Sequence, residues 1–105
     1  MTPEGKVKSK IVKGLKELRA AGHSLYWFTP IGSVFGKSGV PDIVICFDGR
    51  FVGVEVKAPG KLENVTPLQA RAHNEIRDAG GTIFVTDNAE EFIEGLKKWA
   101  NIATL

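Results

Sequence analysis

The chain has 105 residues and a formal net charge of +2, a length that suits one domain over residues 1–105 with a single core and is too short for two. Its hydrophobic fraction of 43% and charged fraction of 25% are ordinary for a soluble globular protein, and the small positive charge permits nucleic-acid binding without arguing for it. A single cysteine, Cys46, excludes an intrachain disulfide and a thiolate metal cluster. No apolar run approaches the roughly 20 residues of a membrane span, and the first residues lack a signal-peptide core, so a cytoplasmic location is expected.

Thr2-Pro3-Glu4 reads as a helix start, with Thr2 as N-cap, Pro3 at the first helical position and Glu4 in the first turn. Val7, Ile11, Leu15 and Leu18 recur at helical spacing up to Gly22. Glu4 falls on that stripe and is expected to point toward the core side; it either caps the helix or contributes to a site beside it. Lys6, Lys10 and Lys13 point the opposite way, as a solvated face or a phosphate track. Lys8 and Lys16, on the flank, are the better DNA candidates.

Leu25 to Thr29 is a short aromatic strand ended by Pro30. Residues 31–39, rich in Gly and Ser, are too flexible in composition for a helix or strand and read as an ordinary connector or a substrate-facing flap. In the second reading Ser33, Lys37 and backbone N–H groups touch phosphates and Phe35 stacks or wedges.

From Gly39 to Lys57 two β-rich runs are joined by Asp48-Gly49, the dipeptide of a two-residue type I′ turn. Pairing Phe47 with Arg50 and stepping outward sets Cys46 against Phe51, Ile45 against Val52, Val44 against Gly53, Ile43 against Val54 and Asp42 against Glu55. One face then carries Ile43, Ile45, Val52 and Val54, and the other Asp42, Glu55 and, further along the pleat, Lys57. A slip of one residue would mix the sets. Two adjacent carboxylates repel unless one is protonated or a cation sits between them, and Mg²⁺ takes one or two protein carboxylates with waters and substrate phosphate. Lys57 either neutralises Glu55 as an ordinary pair or addresses a metal-bound water. Cys46 reads as a small hydrophobe of the strand.

After Lys57 the segment Ala58-Pro59-Gly60-Lys61 turns the chain, and Thr66-Pro67-Leu68-Gln69 is a capping box, which by local chemistry alone gives Gln69 a sufficient job. Leu68, Ala72, Ile76 and Ala79 form the expected buried stripe of this helix, ended by Gly80-Gly81. His73 and His23 lack partners at metal-ligand spacing and read as incidental. Thr82 to Thr86 is a strand reached by a helical crossover, hence parallel to its neighbour. The last helix starts between Asp87 and Glu90, and Trp99, Ile102 and Leu105 at its end exceed what one small core can cover, which hints at a dimer.

Gly39-Val40-Pro41-Asp42, then Glu55-Val56-Lys57, then a helix opening with Gln69, resembles the active-site signature of the PD-(D/E)XK nuclease superfamily and most closely its VRR-NUC family. Together with Glu4, the resemblance covers nearly the whole chain. It implies an α/β, restriction-endonuclease-like α-β-β-β-α-β-α core with a mixed sheet flanked by helices. It implies a Mg²⁺- or Mn²⁺-dependent DNA endonuclease in which Asp42, Glu55 and the Val56 carbonyl hold the metal, Glu4 enters through water, and Lys57 and Gln69 complete the catalytic set. Stand-alone members are associated with branched DNA such as Holliday junctions, as homodimers. Lys8, Ser33, Lys37 and Lys61 are the candidate DNA contacts. Two readings compete: a non-catalytic DNA-binding module that keeps the nuclease fold, and a plain α/β domain in which Lys57 bridges Asp42 and Glu55.

Overall fold

A computed structural model describes residues 1–31 and 38–102. The elements run α1 (Pro3–Ala20), β1 (Leu25–Phe28), β2 (Ile43–Phe47), β3 (Arg50–Val56), α2 (Pro67–Asp78), β4 (Thr82–Thr86) and α3 (Ala89–Trp99). The strands form one four-stranded sheet in the order β1-β2-β3-β4. β1–β2 and β2–β3 are antiparallel and β3–β4 is parallel, as a helical crossover requires. This is the mixed sheet flanked by helices that the restriction-endonuclease-like fold calls for.

The register of the central hairpin follows from its turn. Asp48 and Gly49 both hold positive φ, 51° and 80°, and Phe47 pairs with Arg50, Cys46 with Phe51, Ile45 with Val52, Val44 with Gly53 and Ile43 with Val54. Ile43, Ile45, Val52, Val54 and Val56 are fully buried on one face, against Val7, Ile11, Leu15 and Leu18 of α1 and Phe92 and Leu96 of α3. α1 begins where Thr2 accepts a hydrogen bond from the Gly5 N–H, with Pro3 inside the first turn.

Four expectations are corrected here. Trp99 and Ile102 are not surplus: both pack against the core, where the Trp99 ring meets Phe47 and Phe84 edge-on and carries the Arg50 guanidinium 4.1 Å from its centre. Leu105 lies outside the described residues. The stripe of α2 is mostly not buried. Ala72 and His73 are the buried residues of that helix, while Leu68 and Ala79 are exposed and Ile76 is half-exposed. The reason is placement: α2 packs on β4, at one side of the sheet face, and among the described residues it leaves β1 and β2 uncovered there. That leaves a cleft of about 820 Å³ between Phe28, Val44 and Phe51 on the sheet and Ala72, Ile76 and Ala79 on the helix. Cys46, on the same uncovered face between Tyr26 and Phe51, is exposed. Glu4 is exposed as well, because it precedes Val7, the first buried residue of α1, and lies past the edge of the core.

Among the described residues no helix is long and apolar enough to cross a membrane.

Candidate active site

The second face of the hairpin carries the polar residues. Asp42 stands just before β2, and its Oδ2 accepts a hydrogen bond of 2.8 Å from the Val56 N–H, which fixes it against the end of β3. Glu55 lies one pleat step beyond the last Ile43–Val54 pair and is 1% exposed, and Lys57, on the same side, is 6% exposed. A charge so buried is rare unless it is paired and hydrogen-bonded.

α2 supplies the partners. Thr66 caps it by accepting from the Gln69 N–H, and the Gln69 Oε1 accepts in return from the Thr66 N–H at 3.0 Å, closing a capping box. The same Oε1 accepts from Lys57 Nζ at 2.8 Å, and the Gln69 Nε2 donates to Glu55 Oε2 at 3.2 Å. One amide therefore serves the cap, the lysine and the carboxylate at once, so capping does not exhaust the contacts of Gln69. With Oε1 facing two donors and Nε2 facing a carboxylate, the orientation of that amide is set by its network.

Sequence reasoning missed His73. It is 2% exposed, and its Nε2 lies 3.0 Å from Glu55 Oε1. Burial, followed by the charges of Arg77 and Lys57, holds the ring below its usual range, so the contact is a hydrogen bond of a neutral imidazole rather than an ion pair. The signal was its position one helical turn after Gln69, which puts both side chains on one face of α2.

The Asp42 carboxyl neighbours Glu55, and the acidity of Glu55 is displaced accordingly. Burial pushes its pKa up from 4.5 to about 8, the Asp42 carboxyl adds to this, Lys57 opposes it, and the Glu4 charge pushes the same way. Glu4 thus acts on the pair from an exposed position without touching it. Between pH 4.5 and 8 the folded, metal-free chain keeps a proton that the unfolded chain has released, so stability is complete below that window and is lost as pH rises through it. The depressed ring of His73 acts only in acid, below its ordinary 6.5. From pH 6.5 to 8.5 the metal-free protein is expected to lose on the order of 10 °C in Tm, and a divalent cation at pH 8.5 to restore most of it. Scanning calorimetry in EDTA and in MgCl₂ reads both, and a flat metal-free profile would contradict the raised carboxyl.

A buried carboxyl that keeps its proton, with a half-buried one beside it, forms a donor set suited to a hard cation that takes oxygen ligands and keeps several waters. Among the described residues no three His, Cys, Asp or Glu side chains gather as a ligand cluster. Asp42 and Glu55 are the candidate side-chain ligands. Of the candidate DNA contacts, Lys8 is half-buried beside Lys16 in a shallow groove of α1, Lys61 is exposed in the turn after β3, and Ser33 and Lys37, like Phe35, lie outside the described residues.

A solved structure described as a VRR_NUC domain matches this chain with a TM-score of 0.62 and 28% sequence identity, over 93% of this chain and 97% of that one. This likeness supports a VRR-NUC family assignment. No family model and no curated protein matches the chain. Within the VRR-NUC fold the hairpin and the capped helix bring Asp42, Glu55, Lys57 and Gln69 into one hydrogen-bonded cluster, with His73 behind it.

Proposed function

We propose that this VRR-NUC domain is a metal-dependent endonuclease that hydrolyses phosphodiester bonds in DNA. The observation that carries the reading is the buried Glu55 carboxyl with half-buried Asp42 beside it and Lys57 on the same side, in a chain of nuclease fold. A non-catalytic module gains nothing from that arrangement, which costs stability at neutral pH. A plain Lys57 bridge between the two acids is disfavoured as well, because Lys57 Nζ bonds to the Gln69 amide.

Asp42 and Glu55, with the Val56 carbonyl, would hold Mg²⁺ or Mn²⁺. Such an ion, when bound, polarises a phosphoryl oxygen and makes a bound water acidic enough to attack. Lys57, held by Gln69, presents a positive group to the oxygens on which negative charge grows, or orients the attacking water. Glu4 adds its field from the first turn of α1. Lys8 and Lys61, with Ser33 and Lys37, are proposed to meet the DNA backbone.

The substrate is proposed to be branched DNA, including four-way junctions, cut by a homodimer, since symmetric incision of two strands needs two sites. The exposed Tyr26, Phe28 and Phe51 offer apolar surface for such pairing. The test is a gel assay of junction, flap, nicked and single-stranded DNA with purified protein in Mg²⁺, Mn²⁺ or EDTA, alongside sedimentation at micromolar concentration. Metal-dependent cutting with preference for the branched substrates is expected. Binding of DNA without cutting in either metal would favour the non-catalytic module instead, and a monomer would refute the pairing.

A further inference from the structure

The carboxylate of Glu55 is held at both oxygens from the same helix, by Gln69 Nε2 on Oε2 at 3.2 Å and by His73 Nε2 on Oε1 at 3.0 Å. Gln69 and His73 are one turn apart, so α2 grips the carboxylate like a two-pronged fork. A carboxylate offers about four lone-pair directions. One on each oxygen is engaged by α2, and the remainder are left for the side where Asp42 stands.

Gln69 has other demands on it, from Lys57 and from its own cap. His73 has Glu55 as its hydrogen-bond partner and is itself fully enclosed, which makes it a stiff support. The ring reaches Glu55 from α2, and among the described residues no three His, Cys, Asp or Glu side chains gather as a ligand cluster. Carboxylates that ligate metals are themselves hydrogen-bonded, and removing such a supporting partner typically costs about 10- to 100-fold in metal affinity or activity.

We propose that His73 is a positioning residue of the metal site: its Nε2–H donates to Glu55 Oε1 and fixes the carboxylate in the orientation that leaves its free lone pairs toward the cation. This rests on the metal site proposed above. It requires the neutral ring to carry its proton on Nε2 whenever Glu55 is ionised.

Calorimetric titration with Mn²⁺ at pH 7.5 tests it on the intact chain. His73→Leu, which fills the space and donates nothing, is expected to bind Mn²⁺ about 10- to 100-fold more weakly than wild type. His73→Gln, which restores an N–H donor, is expected to recover most of that loss. Wild-type affinity in His73→Leu would overturn the proposal, and so would His73→Gln binding as weakly as His73→Leu, since the ring would then matter only as filling. Should His73→Leu fail to fold, long-range ¹H–¹⁵N spectra of the wild type with Mg²⁺ decide: an Nε2–H tautomer is expected, and an Nδ1–H tautomer or a doubly protonated ring overturns the assignment. A wild-type chain that takes no Mn²⁺ defeats the metal site and this role together. Mn²⁺ binding without DNA cleavage defeats the nuclease reading, and the His73 variants then still decide this role.

Discussion

Asp42→Asn is expected to lose at least about 10³-fold in DNA cleavage and yet to melt higher than wild type in EDTA at pH 8, by about 5 °C. The two effects share a cause. In the metal-free chain Glu55, buried beside Asp42, keeps a proton that neutral solution would otherwise remove. An asparagine ends the repulsion, its amide oxygen can keep the bond from the Val56 N–H, and its NH₂ gives Glu55 a donor. The same change removes an anionic ligand, so Mn²⁺ binding falls with activity. A lower melting temperature in Asp42→Asn would mean that the acid is there to hold the strand end rather than a cation.

Lys57→Met is the matching control. It should cut about 10²- to 10⁴-fold more slowly while binding Mn²⁺ no more weakly than wild type, because a positive neighbour of the ion is gone and no ligand is. Loss of metal binding in Lys57→Met would give that residue a structural job in place of a chemical one.

The second large effect is expected at Gly39. Its φ is +78°, and a Cβ there would stand 2.3 Å from the Leu68 carbonyl oxygen and 2.9 Å from the Gln69 nitrogen. Both are backbone atoms of the first turn of α2 and cannot swing aside. Gly39→Ala therefore has to part the loop that leads into Asp42 from the helix that carries Gln69, in addition to the strain of a left-handed alanine. A loss of about 3 kcal/mol or more is expected, which in a domain of this size lowers Tm by roughly 12 °C or more, together with loss of Mn²⁺ binding. Denaturant unfolding and the calorimetric titration check the two parts, and a variant within about 0.5 kcal/mol of wild type would show that the contact yields without consequence.

Much of this molecule was legible in the sequence where one residue type has few options. Asp48-Gly49 admits one tight turn, that turn admits one register with the apolar residues on a common face, and the register sets Asp42 beside Glu55. Parallel pairing of β4 followed from the length of the connection through α2. What was not legible depended on how far one element covers another. Periodicity marks the apolar side of α2 but is silent on whether sheet lies beneath it, and here Ile76 and Ala79 line a cleft while Leu68 is exposed. A lone histidine on a helix is equally ambiguous, and only the seating of α2 on the sheet makes His73 a partner of Glu55. Trp99 misled for the opposite reason: a ring that size reads as excess until Phe47, Phe84 and Arg50 are seen around it.

The triple duty of Gln69 has a consequence for how the molecule switches off. Because the amide that ties down the opening turn of α2 is also the one that steadies Lys57 and Glu55, fraying of that turn is expected to disarm the proposed chemistry while the sheet stays intact. Mild denaturant should silence the domain before it unfolds, and amide exchange near Thr66 should report the moment it does.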